Sequence, residues 1–318
     1  MSTSVPSVVL SNGLKMPIIG LGTWQSQPEE IELAVRTALD VGYRHIDTAK
    51  IYANEADIGN TLVAYYANGK VKRDDLFITT KLWCTHNRPE DVEPEIRSSC
   101  AALKTDYVDL YLAHMPVAFN HDMSQQDHTV KVEDLWKGLE AVYEKGLAKS
   151  IGVSNFNAEQ IERIMKVAKV PIHNLQVELH LNFAQFELHE VCKKYNISLC
   201  AYAPLGSPGR VNVKPPPGVK LTWPESLEPL KNEVVLRLAD KYKKTPAQVL
   251  LRHLIQRDII VIPKSINPER IKENFQVFDF ELTSDEVLEL NKQPQAQRLF
   301  LQDFMEGHPE DPFKSDRK

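Results

Sequence analysis

Arg44-His45-Ile46-Asp47-Thr48-Ala49-Lys50-Ile51-Tyr52-Ala53-Asn54-Glu55 is the stretch on which the reading of the whole chain turns. Arg44 to Asp47 reads as a short buried strand, and Asn54-Glu55 opens an apolar-periodic run through Ile58, Leu62 and Val63 that reads as a helix. Asp47 then stands at the C-terminal lip of a strand, with Tyr52 in the loop beyond it. In α/β barrels and open α/β sheets alike, that lip is where chemistry is placed. Taken alone, an Asp and a Tyr there read first as a structural hydrogen bond, so the catalytic reading depends on what the other strand ends carry.

Outward from this stretch the strand-then-helix unit recurs. Near the start, Val8-Val9-Leu10 and Leu14-Lys15-Met16 flank Ser11-Asn12-Gly13, a hairpin signal because Asn and Gly tolerate positive φ. Besides 45–47, strands are expected at 18–21, 76–81, 107–114, 148–153, 173–178, 198–201 and 259–262. Helices are expected at 28–41, 55–69, 89–103, 133–145, 158–168, 185–195 and 246–257. Strands alternating with helices in this number predict a closed parallel (β/α)8 barrel rather than an open doubly wound sheet. The chain lacks the Gly-x-Gly-x-x-Gly that a Rossmann phosphate turn needs, and Gly20-Leu21-Gly22-Thr23-Trp24 is only superficially similar.

Two regions break the rhythm. Gly206 to Glu228, with Pro208, Pro215, Pro216, Pro217 and Gly218, is too long for a simple connection and predicts a mobile rim loop over the site. Residues 284–293 predict one more helix, and the residues after it, with Pro309, Pro312 and Phe313, an extended tail. No linker composition interrupts the chain, so 1–318 is expected to form one domain.

Composition narrows the function. A 318-residue chain with 42% hydrophobic and 25% charged residues is that of an ordinary globular protein. A net charge of -5 and the lack of a basic run interleaved with aromatics argue against nucleic-acid binding. Met1 to Pro6 has no basic or apolar targeting pattern, and no stretch is long enough to span a bilayer, so a cytoplasmic protein without a membrane partner is expected. Cys84, Cys100, Cys192 and Cys200 show no Cys-x-x-Cys spacing and no paired His cluster, which predicts buried reduced thiols and no metal site. His173 and His180 read as structural.

The strand ends can now be taken together. Asp47 ends the second barrel strand with Tyr52 beyond it, Thr80-Lys81 ends the third and Ala113-His114 the fourth. Alone, His114 reads as a rim histidine and Lys81 as a surface charge whose stem covers the barrel edge. In a barrel all four titratable groups converge on one rim, and together they suit proton donation. Tyr is a weak acid, with a reference pKa of about 10. A nearby ammonium is expected to lower it, an Asp to hold that ammonium, and His114 to hydrogen-bond a substrate carbonyl oxygen. Side chains cannot donate hydride, so a reductive reaction would need a redox cofactor.

From end to end the chain resembles the aldo-keto reductase family. The resemblance rests on Gly20-Leu21-Gly22-Thr23-Trp24, Asp47 to Glu55, Thr80-Lys81-Leu82-Trp83, Leu112-Ala113-His114, Ile151-Gly152-Val153-Ser154-Asn155-Phe156, and Ile262-Pro263-Lys264-Ser265 with Arg270 to Asn274. It implies a (β/α)8 barrel that binds NADPH in extended form and reduces aldehydes and ketones, with Tyr52 as general acid, Asp47 and Lys81 as its tuning pair, and His114 orienting the carbonyl. Ser154, Asn155 and Gln176 resemble the family's carboxamide clamp, and Tyr202 the ring stacked on the nicotinamide. Lys264, Ser265 and Arg270 resemble the pocket for the adenosine 2'-phosphate, which two cations and a hydroxyl suit. Asn274 resembles the adenine contact, Ser207 part of the loop over the pyrophosphate, and Thr23, Trp24, Asp47 and Leu205 further cofactor contacts. Trp24, Tyr52, Trp83, His114, Met115 and Phe119 are the expected substrate contacts of a monomer acting on small carbonyl compounds. Proteins resembling this family also serve as NADPH-binding channel subunits or lens proteins without turnover. This chain departs from the family at Met115, where Trp often stands, and at Ala203, where Ser is common. Met115 is expected to give a softer, wider and more apolar pocket.

Overall fold

The computed structural model describes residues 5–213, 222–296 and 298–317. Strands β1 (Ser7–Val9) and β2 (Lys15–Pro17) pair antiparallel across a turn in which Gly13 takes φ +86°. This is the hairpin that Asn12-Gly13 predicts. Asn12 Nδ2 donates to Lys149 O at 2.9 Å and to Ser150 Oγ at 3.1 Å, which pins the hairpin to the start of a barrel strand.

The barrel strands are β3 (Leu21–Gly22), β4 (His45–Asp47), β5 (Phe77–Leu82), β6 (Leu110–Ala113), β7 (Ile151–Ser154), β8 (Asn174–Glu178), β9 (Ser198–Tyr202) and β10 (Ile260–Val261). They form one parallel sheet in chain order. Parallel bridges from Ile19 to Val261 and from Gly22 to Lys264 join the first strand to the last and close the (β/α)8 barrel. Close packing of the first strand against its neighbours explains two glycines. A Cβ at Gly20 would lie 2.4 Å from His45 Nδ1, and one at Gly22 2.6 Å from the Ile262 carbonyl oxygen. The Gly20-Leu21-Gly22 run therefore serves close packing on both sides of the first strand, Gly20 against β4 and Gly22 against the segment that follows β10.

The outer helices are α1 (Pro28–Val41), α2 (Glu55–Ala67), α3 (Pro89–Leu103), α4 (Val132–Glu144), α5 (Ala158–Val167), α6 (Phe186–Lys194), α7 (Glu233–Tyr242), α8 (Pro246–Ile255), α9 (Pro268–Phe275) and α10 (Ser284–Asn291). Helix α1 shows why they form where they do. Pro28 starts it with a preset φ, Ile31, Ala34, Val35, Ala38 and Leu39 make its buried stripe, and Gly42 at φ +120° ends it. Thr245 and Gln248 cap α8 reciprocally. Residues 18–21 were expected as the first barrel strand, and the ladder proper begins only at Leu21 because Ile18 to Gly20 pair through isolated bonds to Val261.

Helices α7 and α9 were not expected. Helix α7 buries Val235, Leu238 and Ala239 in a satellite core with Val249, Leu250, Leu282 and Leu290. The Pro-rich segment before it masked that periodicity. Residues 214–221, with Pro215, Pro216, Pro217 and Gly218, lie outside the described residues, so the expected rim loop is seen only at its flanks. The tail, expected as extended, is folded on itself. It makes a short helical turn at Asp303–Met305, Arg317 Nη2 donates to the Leu301 and Gln302 carbonyls at 2.6 and 3.0 Å, and Arg298 Nε meets Asp316 at 2.7 Å. Arg163 on α5 ties it to the barrel, forking onto Glu310 and Glu133. No helix among the described residues is long and apolar enough to cross a membrane.

Candidate active site

Parallel strands in register deliver their last residues to one rim. Asp47 ends β4, Lys81 is the penultimate residue of β5, His114 follows β6, Ser154 ends β7 and Tyr202 ends β9. Tyr52 closes a single helical turn, Lys50–Tyr52, that Ala53 terminates in the left-handed region at φ +56°. The next helix begins directly, so this loop has little freedom.

Asp47 and Lys81 form an ion pair of 2.6 Å with side chains 3% and 0% exposed. Lys81 Nζ also donates to the Thr48 carbonyl at 2.8 Å. The second carboxylate oxygen of Asp47 accepts from Gln176 Nε2 at 2.7 Å. Each oxygen of this buried carboxylate thus has a donor, which burial of a charge requires. Lys81 Nζ lies 5.1 Å from the centre of the Tyr52 ring, and Tyr52 meets His114 edge-on with centroids 5.8 Å apart. The expected four residues are brought together.

Their titration differs from the expectation in one respect. Burial pushes the Tyr52 phenol above its ordinary range; Lys81 pulls it down, as expected, but by less. Burial works against the Lys81 ammonium, yet Asp47 and Tyr52 overcome it and hold its pKa above the usual lysine value. Burial, with Lys81 adding to it, drives His114 well below the ordinary histidine value. At neutral pH the site therefore holds a protonated phenol, a charged ammonium and a neutral imidazole. Trp83 stands edge-on to His114 at 5.2 Å.

Next to this group, Asn155, at φ +64°, donates to the His114 carbonyl at 3.0 Å and to Ser154 Oγ at 3.2 Å, and its Oδ1 accepts from the Tyr202 hydroxyl at 2.8 Å. Thr23 Oγ1 donates to the Asp47 carbonyl at 2.9 Å, and Asn54 Nδ2 to the Thr23 carbonyl at 2.9 Å. Ala203 and Ser207 also take positive φ, +52° and +44°. Non-glycine residues with positive φ recur elsewhere in the chain, but these three stand at or just beyond the C-terminal ends of barrel strands, where backbone strain is often kept for function. Farther along, Lys264 follows β10 and Arg270 lies in the first turn of α9; both are exposed, and Ser265 lies between them and half-buried. Asn274 is 3% exposed on the same helix, and Leu205 packs against the main core.

The pocket wall differs from the expectation at Met115. It is 2% exposed and packs under the rim with Cys84, Val117, Met305 and Phe313, its sulfur 3.4 Å from Asn155 Nδ2. The folded tail covers it, so its side chain supports the wall from behind. Phe313 is buried there too, its ring stacked under the Arg298 guanidinium at 3.6 Å. Phe119 stands 6.1 Å from Phe304, which in turn meets Trp83 at 5.8 Å. Phe300, Phe304 and Trp223 were missed by sequence reasoning. Phe300 and Trp223 stand in irregular segments and Phe304 in a single short turn, where no periodicity marks an aromatic as facing anything. Metal-like clusters of His, Cys, Asp and Glu are absent among the described residues.

A model of the aldo/keto reductase family matches residues 18–293. Over 299 residues the chain is 47% identical to aldo-keto reductase family 1 member A1 of Gallus gallus, covering 90% of this chain and 88% of that one. The solved aldose reductase of Schistosoma japonicum superposes with a TM-score of 0.88 at 42% identity, covering 98% of this chain and all of the other. A Bombyx mori aldo-keto reductase solved in complex with NADP superposes with a TM-score of 0.88 at 35% identity, again over 98% of this chain.

Proposed function

The chain belongs to the aldo/keto reductase family, and on that premise we propose that it reduces aldehydes and ketones to alcohols with NADPH, as a cytoplasmic monomer whose residues 1–318 act as one domain. The observation that carries this reading is the buried group of Asp47, Lys81, Tyr52 and His114 at the C-terminal rim of the barrel. The Bombyx mori relative solved with NADP supports the choice of cofactor.

The donor set fits a dinucleotide. Ser154 and Asn155 offer hydroxyl and amide groups to a carboxamide, and Tyr202, at the end of the neighbouring strand pair, offers a ring face. Lys264, Ser265 and Arg270 suit a phosphate dianion, which favours NADPH over NADH. Thr23, Trp24, Leu205, Ser207 and Asn274 complete the path between them. Bound there, a reduced nicotinamide supplies the hydride.

The protein's own residues manage the proton. His114, neutral and packed against Tyr52 and Trp83, donates a hydrogen bond to the carbonyl oxygen and polarises it. As hydride reaches the carbonyl carbon, negative charge grows on that oxygen, and the Tyr52 hydroxyl transfers its proton to it. The phenolate left behind faces the Lys81 ammonium, which Asp47 and the Thr48 carbonyl hold in place. Proton return from solvent restores the phenol. Trp24, Trp83 and Phe119 form an apolar wall that keeps water from the oxygen.

The test is NADPH oxidation by the purified protein against aldehydes, ketones, sugars and steroids. Turnover of at least one class supports the reading. Tight NADPH binding with no oxidation across the panel would identify a binding protein instead.

A further inference from the structure

Glu178 is a buried carboxylate that the chemistry above leaves unused. It ends β8 with its side chain 0% exposed. The Leu299 N–H donates to its Oε1 at 2.8 Å, the Phe300 N–H to its Oε2 at 3.0 Å, and His180 Nε2 lies 3.2 Å from Oε1. An ionised carboxylate can only accept, so His180 is the donor. Burial works to raise the Glu178 carboxyl, and His180, Arg298 and the Leu299 amide more than offset it, so the group stays ionised.

A charge inside a barrel wall is costly unless it has a task, and its partners define one here. Two of the three are consecutive amides of the C-terminal tail. They fix the residue whose ring stands among the rim aromatics. Phe300 meets Tyr202 edge-on at 5.5 Å and 83°, Trp24 at 5.7 Å and 70°, and Trp223 at 5.7 Å and 84°. Glu178 and Tyr202 are register partners in neighbouring strands. One pair of strand ends therefore sets both the Tyr202 ring and the anchor of the ring that faces it.

We infer that Glu178 is a positioning residue for substrate selection: by accepting the Leu299 and Phe300 amides it holds the Phe300 ring at a set distance from Tyr202 and Trp24, and so fixes the gap through which an aromatic or bulky apolar carbonyl compound must pass. The inference rests on the carbonyl-reductase reading of the rim. His180 supports the anchor by orienting the carboxylate, and the tail's own lock, Arg298 with Asp316 and Phe313, keeps the segment from refolding elsewhere.

Glu178→Gln in the full-length protein tests it, because Gln keeps the shape but aims an N–H at one of the two amides. Amide hydrogen exchange should rise about tenfold or more in peptides spanning Leu299 and Phe300, and stay unchanged in peptides of β5. With NADPH saturating, kcat/KM for an aromatic aldehyde should fall about tenfold, mainly through KM, while that for a three-carbon aldehyde changes less than twofold. In a Phe300→Ala background the same substitution should add less than twofold, since the ring it positions is gone. Unchanged exchange, or full additivity with Phe300→Ala, overturns the inference. If Glu178→Gln does not fold, Glu178→Asp, which keeps the charge and withdraws it by one methylene, is read by the same criteria at smaller amplitude. A wild-type protein that reduces no carbonyl compound overturns the reductase reading, and the exchange result then decides the anchor by itself.

Discussion

Gln176 Nε2 donates to Asp47 Oδ2 at 2.7 Å, on the carboxylate oxygen opposite the one that Lys81 holds at 2.6 Å. The amide expected to clamp a cofactor carboxamide thus gives one of its N–H groups to the Asp47–Lys81 pair. Gln176→Met should leave a buried carboxylate oxygen without a donor, at a cost of about 1–3 kcal/mol. The expected result is a fall in kcat of about tenfold or more, larger than the loss of NADPH affinity measured by fluorescence titration. Loss of affinity with kcat intact would return Gln176 to the cofactor alone.

Tyr52→Phe should keep NADPH binding and lose turnover by about a hundredfold or more, since the ring remains and the proton donor does not. The raised Tyr52 and lowered His114 values also predict a pH profile. Between about pH 6 and 9 kcat should show no ionisation of His114, because a strongly lowered imidazole is already neutral there. An acid limb near the ordinary histidine pKa that disappears in His114→Gln would contradict this.

Arg270→Ala should raise Kd for NADPH by about tenfold or more and leave Kd for NADH nearly unchanged, because only NADPH carries the 2'-phosphate. Parallel equilibrium titrations with the two cofactors decide it. Equal losses would place Arg270 elsewhere.

Glu286 couples α10 to α7. Its carboxylate takes Lys241 Nζ at 2.6 Å, the Tyr242 hydroxyl at 2.6 Å and the Thr283 amide at 2.8 Å. Burial works to raise its pKa, but these donors bring it down to about 2. A carboxylate lowered on folding stabilises above its unfolded value, and the contribution is lost as pH falls from there towards the folded one. Glu286→Gln keeps the cap and removes the charge. It should cost about 1 kcal/mol in urea denaturation at pH 7, since solvent screens the half-exposed Lys241, and progressively less below about pH 4.5. A cost independent of pH would show that shape, not charge, matters at this position.

Periodicity made most of the barrel legible. Helix α1 and strand β4 were expected with the boundaries they have; Pro28 and Gly42 punctuate the one, and the other is the short stretch left between that Gly42 turn and the loop carrying Tyr52. Asp47, Tyr52, Lys81 and His114 could be placed together because parallel strands bring their C-terminal ends to one rim. Depth was not legible. That burial outweighs Lys81 at Tyr52 depends on how much protein covers the ring, and that Met115 packs beneath the rim depends on Met305 and Phe313 arriving from nearly two hundred residues away. Helix α7 was missed because the prolines before it read as loop. Glu178 was passed over because two of its three partners are backbone amides, which carry no residue identity.

The four buried thiols have a chemical meaning for the proposed reduction of aldehydes. Burial raises Cys100 to about 11 and Cys192 to about 12, and it holds Cys84 and Cys200 above the ordinary thiol range as well. Soft electrophiles such as enals add to thiolates, and Schiff bases form on neutral amines. Cys200 lies beneath the relay, against Gln176, and Lys81 stays protonated, so an electrophile admitted to the site meets neither nucleophile. The catalyst is thereby insulated from covalent capture by its own feedstock. Mass spectrometry after prolonged exposure to acrolein should find adducts on surface lysines and histidines, with these cysteines and Lys81 unmodified.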